Sequence, residues 1–201
     1  STKKTIVFVD STHETMMMRL GQRGGQLYQT QPSVIFVIHN DKPSSFSIEA
    51  TQEITEMPLS NVVGIIPGKS KANEYVIFSG HYDHLGINSK KMENNDSIYN
   101  GANDDAAGTT AMIMLAKYFK KLNDNERTLV FAAFTAEEIG GFGATYFSKQ
   151  FDPAQVMAMF NIEMIGTESK WGKNSAYITG FDKTNMGEIL QKNLEGTGFM
   201  F

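Results

Sequence analysis

Residues 75–86 read Tyr-Val-Ile-Phe-Ser-Gly-His-Tyr-Asp-His-Leu-Gly. The opening run is β-branched and aromatic with no polar alternation, the pattern of a strand buried on both faces. Such strands belong to largely parallel sheets covered by helices on both sides. The run then breaks into imidazole and carboxylate groups at His81, Asp83 and His84. In open α/β sheets, ligand sites gather beyond the carboxyl ends of the strands. One short stretch therefore predicts both the fold class and the place to look for chemistry.

Working outward, similar runs predict strands at Thr5–Val9, Val34–Ile38, Asn61–Ile66, Thr128–Phe134, Ala158–Glu163 and Ala176–Thr179. The clearest helix begins just after Asp105, where Ala111, Leu115, Phe119 and Leu122 recur at three- and four-residue spacing and Lys117, Lys120 and Lys121 face water. Further helices are expected at about 144–149 and 185–194. Alternating strands and helices predict a three-layer αβα sandwich around a mostly parallel, mixed sheet. Polar residues 40–47 and the segment through Pro58 separate a strand–helix–strand unit, residues 1–58, from a main body, residues 59–201. Residues 88–100, rich in Asn, Ser and Lys, read as an exposed loop.

Three more segments place acids just after a strand. Asn100-Gly-Ala-Asn-Asp104-Asp105 opens the clear helix, Thr128–Phe134 leads into Glu137-Glu138, and Ala158–Ile162 delivers Glu163. Each has an ordinary explanation. His81 alone reads as a structural histidine, Asp104 and Asp105 as an N-cap and first-turn acid, and Glu137-Glu138 as a solvated pair. Glu163, flanked by Ile162 and Met164, needs a partner if buried. Taken together, the acids would repel one another without a multivalent cation. Oxygen donors plus imidazole suit zinc, with manganese or cobalt as substitutes. Two metals about 3.5–4 Å apart and sharing one carboxylate would use every group. Asp83, two residues from His81, is placed to accept the second ring N–H of that histidine.

Composition narrows the alternatives. The chain has 201 residues, a net charge of −4, no cysteine and four histidines: His13, His39, His81 and His84. Thiolate chemistry and cysteine zinc sites are excluded, a nucleic-acid partner is disfavoured, and no apolar run is long enough to span a bilayer. The chain opens on Ser1 rather than Met, as expected if a natural N-terminus has been removed.

Together the segments Gly-His-Tyr-Asp-His-Leu-Gly, Asn-Gly-Ala-Asn-Asp-Asp-Ala-Ala-Gly, Ala-Glu-Glu-Ile-Gly-Gly-Phe-Gly and Asn-Ile-Glu-Met-Ile-Gly resemble the co-catalytic zinc aminopeptidases. That family also holds glutamate carboxypeptidases, glutaminyl cyclases and the non-catalytic transferrin receptor ectodomain. The resemblance implies His81 and Glu163 as terminal ligands of one zinc, Asp104 as the bridge, and Glu138 as terminal ligand of the second. It implies Glu137 as general base, Asp83 as the orienting residue, a cis peptide at Asp104–Asp105, and a peptide or small aminoacyl substrate. It also implies an exported protein. Residues 1–58 are expected to be a remnant of a protease-associated-type domain. The same-fold alternatives are a one-zinc glutaminyl-cyclase-type acyltransferase and a binding scaffold.

Two departures stand out. Glu163 stands where the family has Asp, and its extra methylene calls for a shifted backbone. The family's second metal takes a downstream His, and no histidine follows His84. On an extended backbone, His84 points away from His81 and Asp83. The chain is therefore expected to stop short of the missing ligand, to hold at most one zinc well, and to have little activity.

Overall fold

The computed structural model describes residues 5–22, 34–41, 43–49, 56–90 and 95–201. The chain divides into two compact units, Ser1–Met57 and Pro58–Phe201.

In the first unit, strands β1 (Thr5–Val9) and β2 (Val34–Ile38) pair in parallel, Thr5 opposite Val34, and helix α1 (Glu14–Gln22) lies between them in sequence. The Asp10 carboxylate accepts the Thr12 N–H at 2.9 Å and starts the helical turn that leads into α1.

The second unit is built on β3 (Val62–Ile66), β4 (Lys71–His81), β7 (Arg127–Phe134) and β8 (Val156–Asn161), in spatial order β3-β7-β4-β8. A short hairpin, β5 (Gly86–Ile87) with β6 (Ile98–Tyr99), stands apart from this sheet. β4, β7 and β8 run parallel, whereas edge strand β3 is antiparallel to β7. Helix α2 (Ala107–Leu122) covers one face. Its Met112, Leu115, Ala116 and Phe119 pack on Leu129, Phe131, Val76 and Phe78. Helix α3 (Phe142–Ser148) covers the other, setting Phe147 against Ile77, Val130, Ala132 and Phe134. The unit is thus a three-layer αβα sandwich on a mixed sheet. β7 is buried on both faces from Thr128 to Phe134, as its unbroken apolar run requires. Phe78 stacks on Phe119, Phe131 and Phe160 with ring centroids 5.3–5.7 Å apart.

Several expected boundaries move. β8 begins at Val156 and ends at Asn161, so Glu163 lies beyond the strand rather than within it. Leu122 is exposed at the end of α2, and Met112 is the residue that turns inward. Within the expected loop 88–100, Ile98–Tyr99 pairs with Gly86–Ile87, while residues 91–94 lie outside the described residues. Ala176–Thr179 forms no strand. It is bracketed by left-handed turns at Gly172, Asn174 and Gly180, and only Ser175 bridges, to Met200. A β-favouring run without a neighbouring strand has nothing to pair with. The predicted third helix is α4 (Met186–Asn193). Among the described residues, no helix is long and apolar enough to cross a membrane.

Candidate metal centre

β4 and β7 end side by side, with His81 opposite Phe134, and the loops that follow them meet. His81 is 2% exposed and held at every polar atom. Its N–H donates to Asp105 Oδ2 at 3.1 Å, and its carbonyl accepts Thr109 Oγ at 2.6 Å. Its ring Nδ1 meets the Asp83 backbone carbonyl at 2.9 Å, which leaves Nε2 to face Asp104 Oδ1 at 2.9 Å. Burial alone would push the imidazole pKa down. The Asp83 carbonyl and the charges of Asp105, Glu137 and Asp104 outweigh it, and the pKa is raised above the ordinary histidine value.

The Asp104–Asp105 peptide is cis, in keeping with the resemblance. The two neighbouring carboxylates face different partners. Asp104 turns toward His81. Asp105, 2% exposed, accepts backbone N–H groups from His81, Gly108 and Met164 at 3.1–3.3 Å. The first-turn role expected of this pair thus falls to Asp105 alone. Burial raises its pKa, against the lowering effect of those three N–H donors. Gly108 makes room for this knot, since a Cβ there would sit 2.0 Å from the Ile162 carbonyl oxygen and 2.4 Å from Asp105 Oδ1.

Asp83 differs from expectation. Its carboxylate does not take the His81 ring N–H, because Oδ1 is 3.7 Å from Nδ1. Each of its oxygens instead accepts one backbone N–H of the next loop, from Glu137 at 3.1 Å and Glu138 at 3.2 Å. Asp83 therefore fixes His81 through its backbone and the Glu137–Glu138 loop through its side chain. That loop begins at buried Ala136, whose φ of 57° is left-handed, as is the 52° of Met164 beside Glu163. Unusual backbone thus flanks both groups of acids.

These loops bring His81, Asp104 and Glu163 together, with one donor atom from each lying within 4.8 Å of the others. Asn161 steadies Glu163, donating to Oε2 at 3.3 Å while its own Oδ1 accepts Ser79 Oγ at 2.8 Å. Glu137 Oε2 approaches His81 Nε2 at 4.0 Å. Its carboxyl pKa is raised by burial first, with Glu163, Glu138 and Asp104 adding to the rise against the pull of His81.

His84 was expected to point away from His81 and Asp83, and the structure places it elsewhere. β4 ends at His81 and residues 82–85 are not strand, so two-residue alternation no longer applies. The turn swings His84 back until Nδ1 lies 2.6 Å from Glu138 Oε1. His84, Asp104 and Glu138 form a second group within 4.8 Å, sharing Asp104 with the first. Glu138 is therefore not left without an imidazole.

Zinc bonds of about 2.0–2.2 Å place tetrahedral neighbours roughly 3.4 Å apart, and the donor atoms of each His–carboxylate group lie within 4.8 Å of one another. Sheet, loops and donors together define an α/β protein with a metallopeptidase-type His–carboxylate centre. The chain belongs to peptidase family M28, whose model matches residues 61–196. A probable zinc metalloprotease of Pyrenophora teres f. teres (strain 0-1) is 32% identical over 110 residues, covering 54% of this chain and 23% of that protein. Aminopeptidase YwaD of Bacillus subtilis (strain 168) is 28% identical over 142 residues, covering 67% of this chain and 28% of that protein. The aminopeptidase from Aneurinibacillus sp. strain AM-1 aligns at a TM-score of 0.41 and 25% identity, over 53% of this chain and 24% of that one. The chain spans about a quarter of the length of the curated relatives it matches.

Proposed function

We propose that this chain carries the catalytic centre of a zinc-dependent aminopeptidase, with His81, Asp104, Glu138 and Glu163 as metal ligands and Glu137 as general base. The observation that carries the reading is the position of Glu137. Its carboxylate stands 4.0 Å from the His81 ring, beside both His–carboxylate groups, with its backbone tied down by Asp83. Bound zinc would supply a Lewis acid that acidifies water and polarises the scissile carbonyl.

Glu137 then takes a proton from the attacking water as the new C–O bond forms. It returns that proton to the amine nitrogen as the C–N bond breaks. A carboxyl whose pKa is raised by burial is better matched to that exchange near neutral pH than an ordinary surface glutamate. Asp83 is a positioning residue, holding the Glu137–Glu138 backbone in place. Exopeptidase action on a free N-terminus is supported by the aminopeptidase among the relatives.

The test is Glu137→Gln, which keeps size and hydrogen bonding but cannot accept the proton. Zinc content should be unchanged, and kcat should fall by about 10²–10⁴-fold. Activity within a few-fold of the parent would move the base elsewhere.

A further inference from the structure

The backbone ladder between β3 and β7 ends at Val62 opposite Ala133, and buried Thr135 lies past that end. A buried N–H needs an acceptor. Thr135 finds one in a side chain, since Asn61, the residue before β3, accepts its N–H at Oδ1 at 3.2 Å. The same side-chain amide donates from Nδ2 to the Gly143 carbonyl at 2.9 Å. Thr135 and Gly143 are the two ends of the loop that carries Glu137 and Glu138, and the Gly143 N–H donates to the Thr135 carbonyl at 3.0 Å. One side chain thus spans the neck of that loop. We propose that Asn61 is a positioning residue, a clamp on this neck that holds Glu137 in place.

The neck is shaped around the amide. A Cβ on Gly143 would lie 2.3 Å from Asn61 Oδ1 and 2.4 Å from the Thr135 carbonyl oxygen, so a side chain there would force the amide out. Ala136, directly inside the neck, has the left-handed φ of 57°. A residue with a Cβ keeps such a conformation only where its surroundings impose it, and Asn61 is bonded to the residue before it. Asp83 holds the same loop further in, through the N–H groups of Glu137 and Glu138. Two side chains far apart in sequence therefore pin one loop at different points. Ser60, next to Asn61, accepts the Tyr82 hydroxyl at 2.6 Å, which joins this corner to the turn that bears His81 and Asp83.

The inference rests on the peptidase reading for the role of Glu137, so its test pairs turnover with a measurement that needs neither metal nor substrate. That measurement is amide hydrogen exchange, read by mass spectrometry. In Asn61→Ala, peptides covering 135–143 should exchange about 10-fold faster or more, the effect of losing both Asn61 hydrogen bonds. Peptides from β4 and α2 should stay within a few-fold. Asn61→Asp keeps the acceptor for Thr135 but loses the donor to Gly143. It should loosen the same segment alone, and it serves if the alanine variant does not fold. With zinc supplied and an aminoacyl-nitroanilide as substrate, kcat should fall by about 10–100-fold in Asn61→Ala while KM stays within a few-fold. Adding Asp83→Ala should cost less than it does in the parent, because both side chains act through one loop. Unchanged exchange over 135–143, or a rise spread evenly over the chain, overturns the clamp. So does a variant whose loop opens while kcat holds at the parent value. The exchange decides on the clamp whatever the turnover, whereas an unchanged kcat in Glu137→Gln would remove the proposed base and leave the clamp standing.

Discussion

His81 and His84 belong to two neighbouring His–carboxylate groups that share Asp104, but they are held by different means. His81 ends a central strand, is 2% exposed, and has its N–H, carbonyl and ring all engaged. The His84 side chain is 21% exposed, follows the strand, and owes its position to a left-handed glycine and a hairpin ring packed beside it. The first half is supported from beneath by the sheet and by Asp105. The second is supported from the side, by one loop leaning on another. Such a centre should lose its two halves separately when their separate supports are removed.

Asp105→Ala should have the largest effect. It strips the acceptor from three backbone N–H groups, those of His81, Gly108 and Met164. Each buried donor left unsatisfied costs about 1–3 kcal/mol, so urea denaturation should show a loss of roughly 3 kcal/mol or more. In whatever fraction folds, the His81–Asp104–Glu163 group should suffer first. A loss below about 1 kcal/mol would mean that solvent replaces those bonds and that the first half is less dependent on Asp105.

Asp83→Ala sharpens the contrast in the other direction. Because the backbone carbonyl holds the His81 ring, the substitution leaves that tether in place and removes only the acceptor for Glu137 and Glu138. Zinc at the Glu138 group should weaken by about 10–100-fold, while zinc at the His81 group should stay within a few-fold, as read by competition with a chelating dye. Equal weakening at both would restore the direct carboxylate-to-imidazole role that the sequence suggested.

Gly101→Ala should have the smallest effect. An alanine at φ 64° is strained and would press on the His84 ring at 2.9 Å. A stability loss of about 1 kcal/mol is expected on urea denaturation. An unchanged midpoint would show that the turn tolerates a side chain at that position.

The same contrast explains what could be read from the sequence. The β4 and β7 runs and the helix after Asp105 follow from periodicity, whereas the grouping of His81, Asp104 and Glu163 came from the resemblance to the zinc aminopeptidases. Periodicity is a local property, carried by neighbouring residues. The direction of His84 depends on where the chain turns after β4, and the residues that lie against its ring, Tyr99 and Gly101, come well after it in sequence. The side-chain role of Asp83 was misplaced for a similar reason. Its partners are the N–H groups of Glu137 and Glu138, which no spacing rule connects to it. Backbone donors carry no signature in side-chain pattern, and the roles of Asp83 and Asp105 are both of that kind.

The proposed function gives these residues a zinc-dependent cleavage of the peptide bond next to a free N-terminus. The direct measurement is release of nitroaniline from an aminoacyl-nitroanilide and from its N-acetylated counterpart, by the chain loaded with zinc, stripped by chelator and reloaded. The account predicts turnover of the free-amine substrate alone, its loss on stripping and its return with zinc. Turnover that survives chelation, or equal turnover of the acetylated substrate, would contradict it.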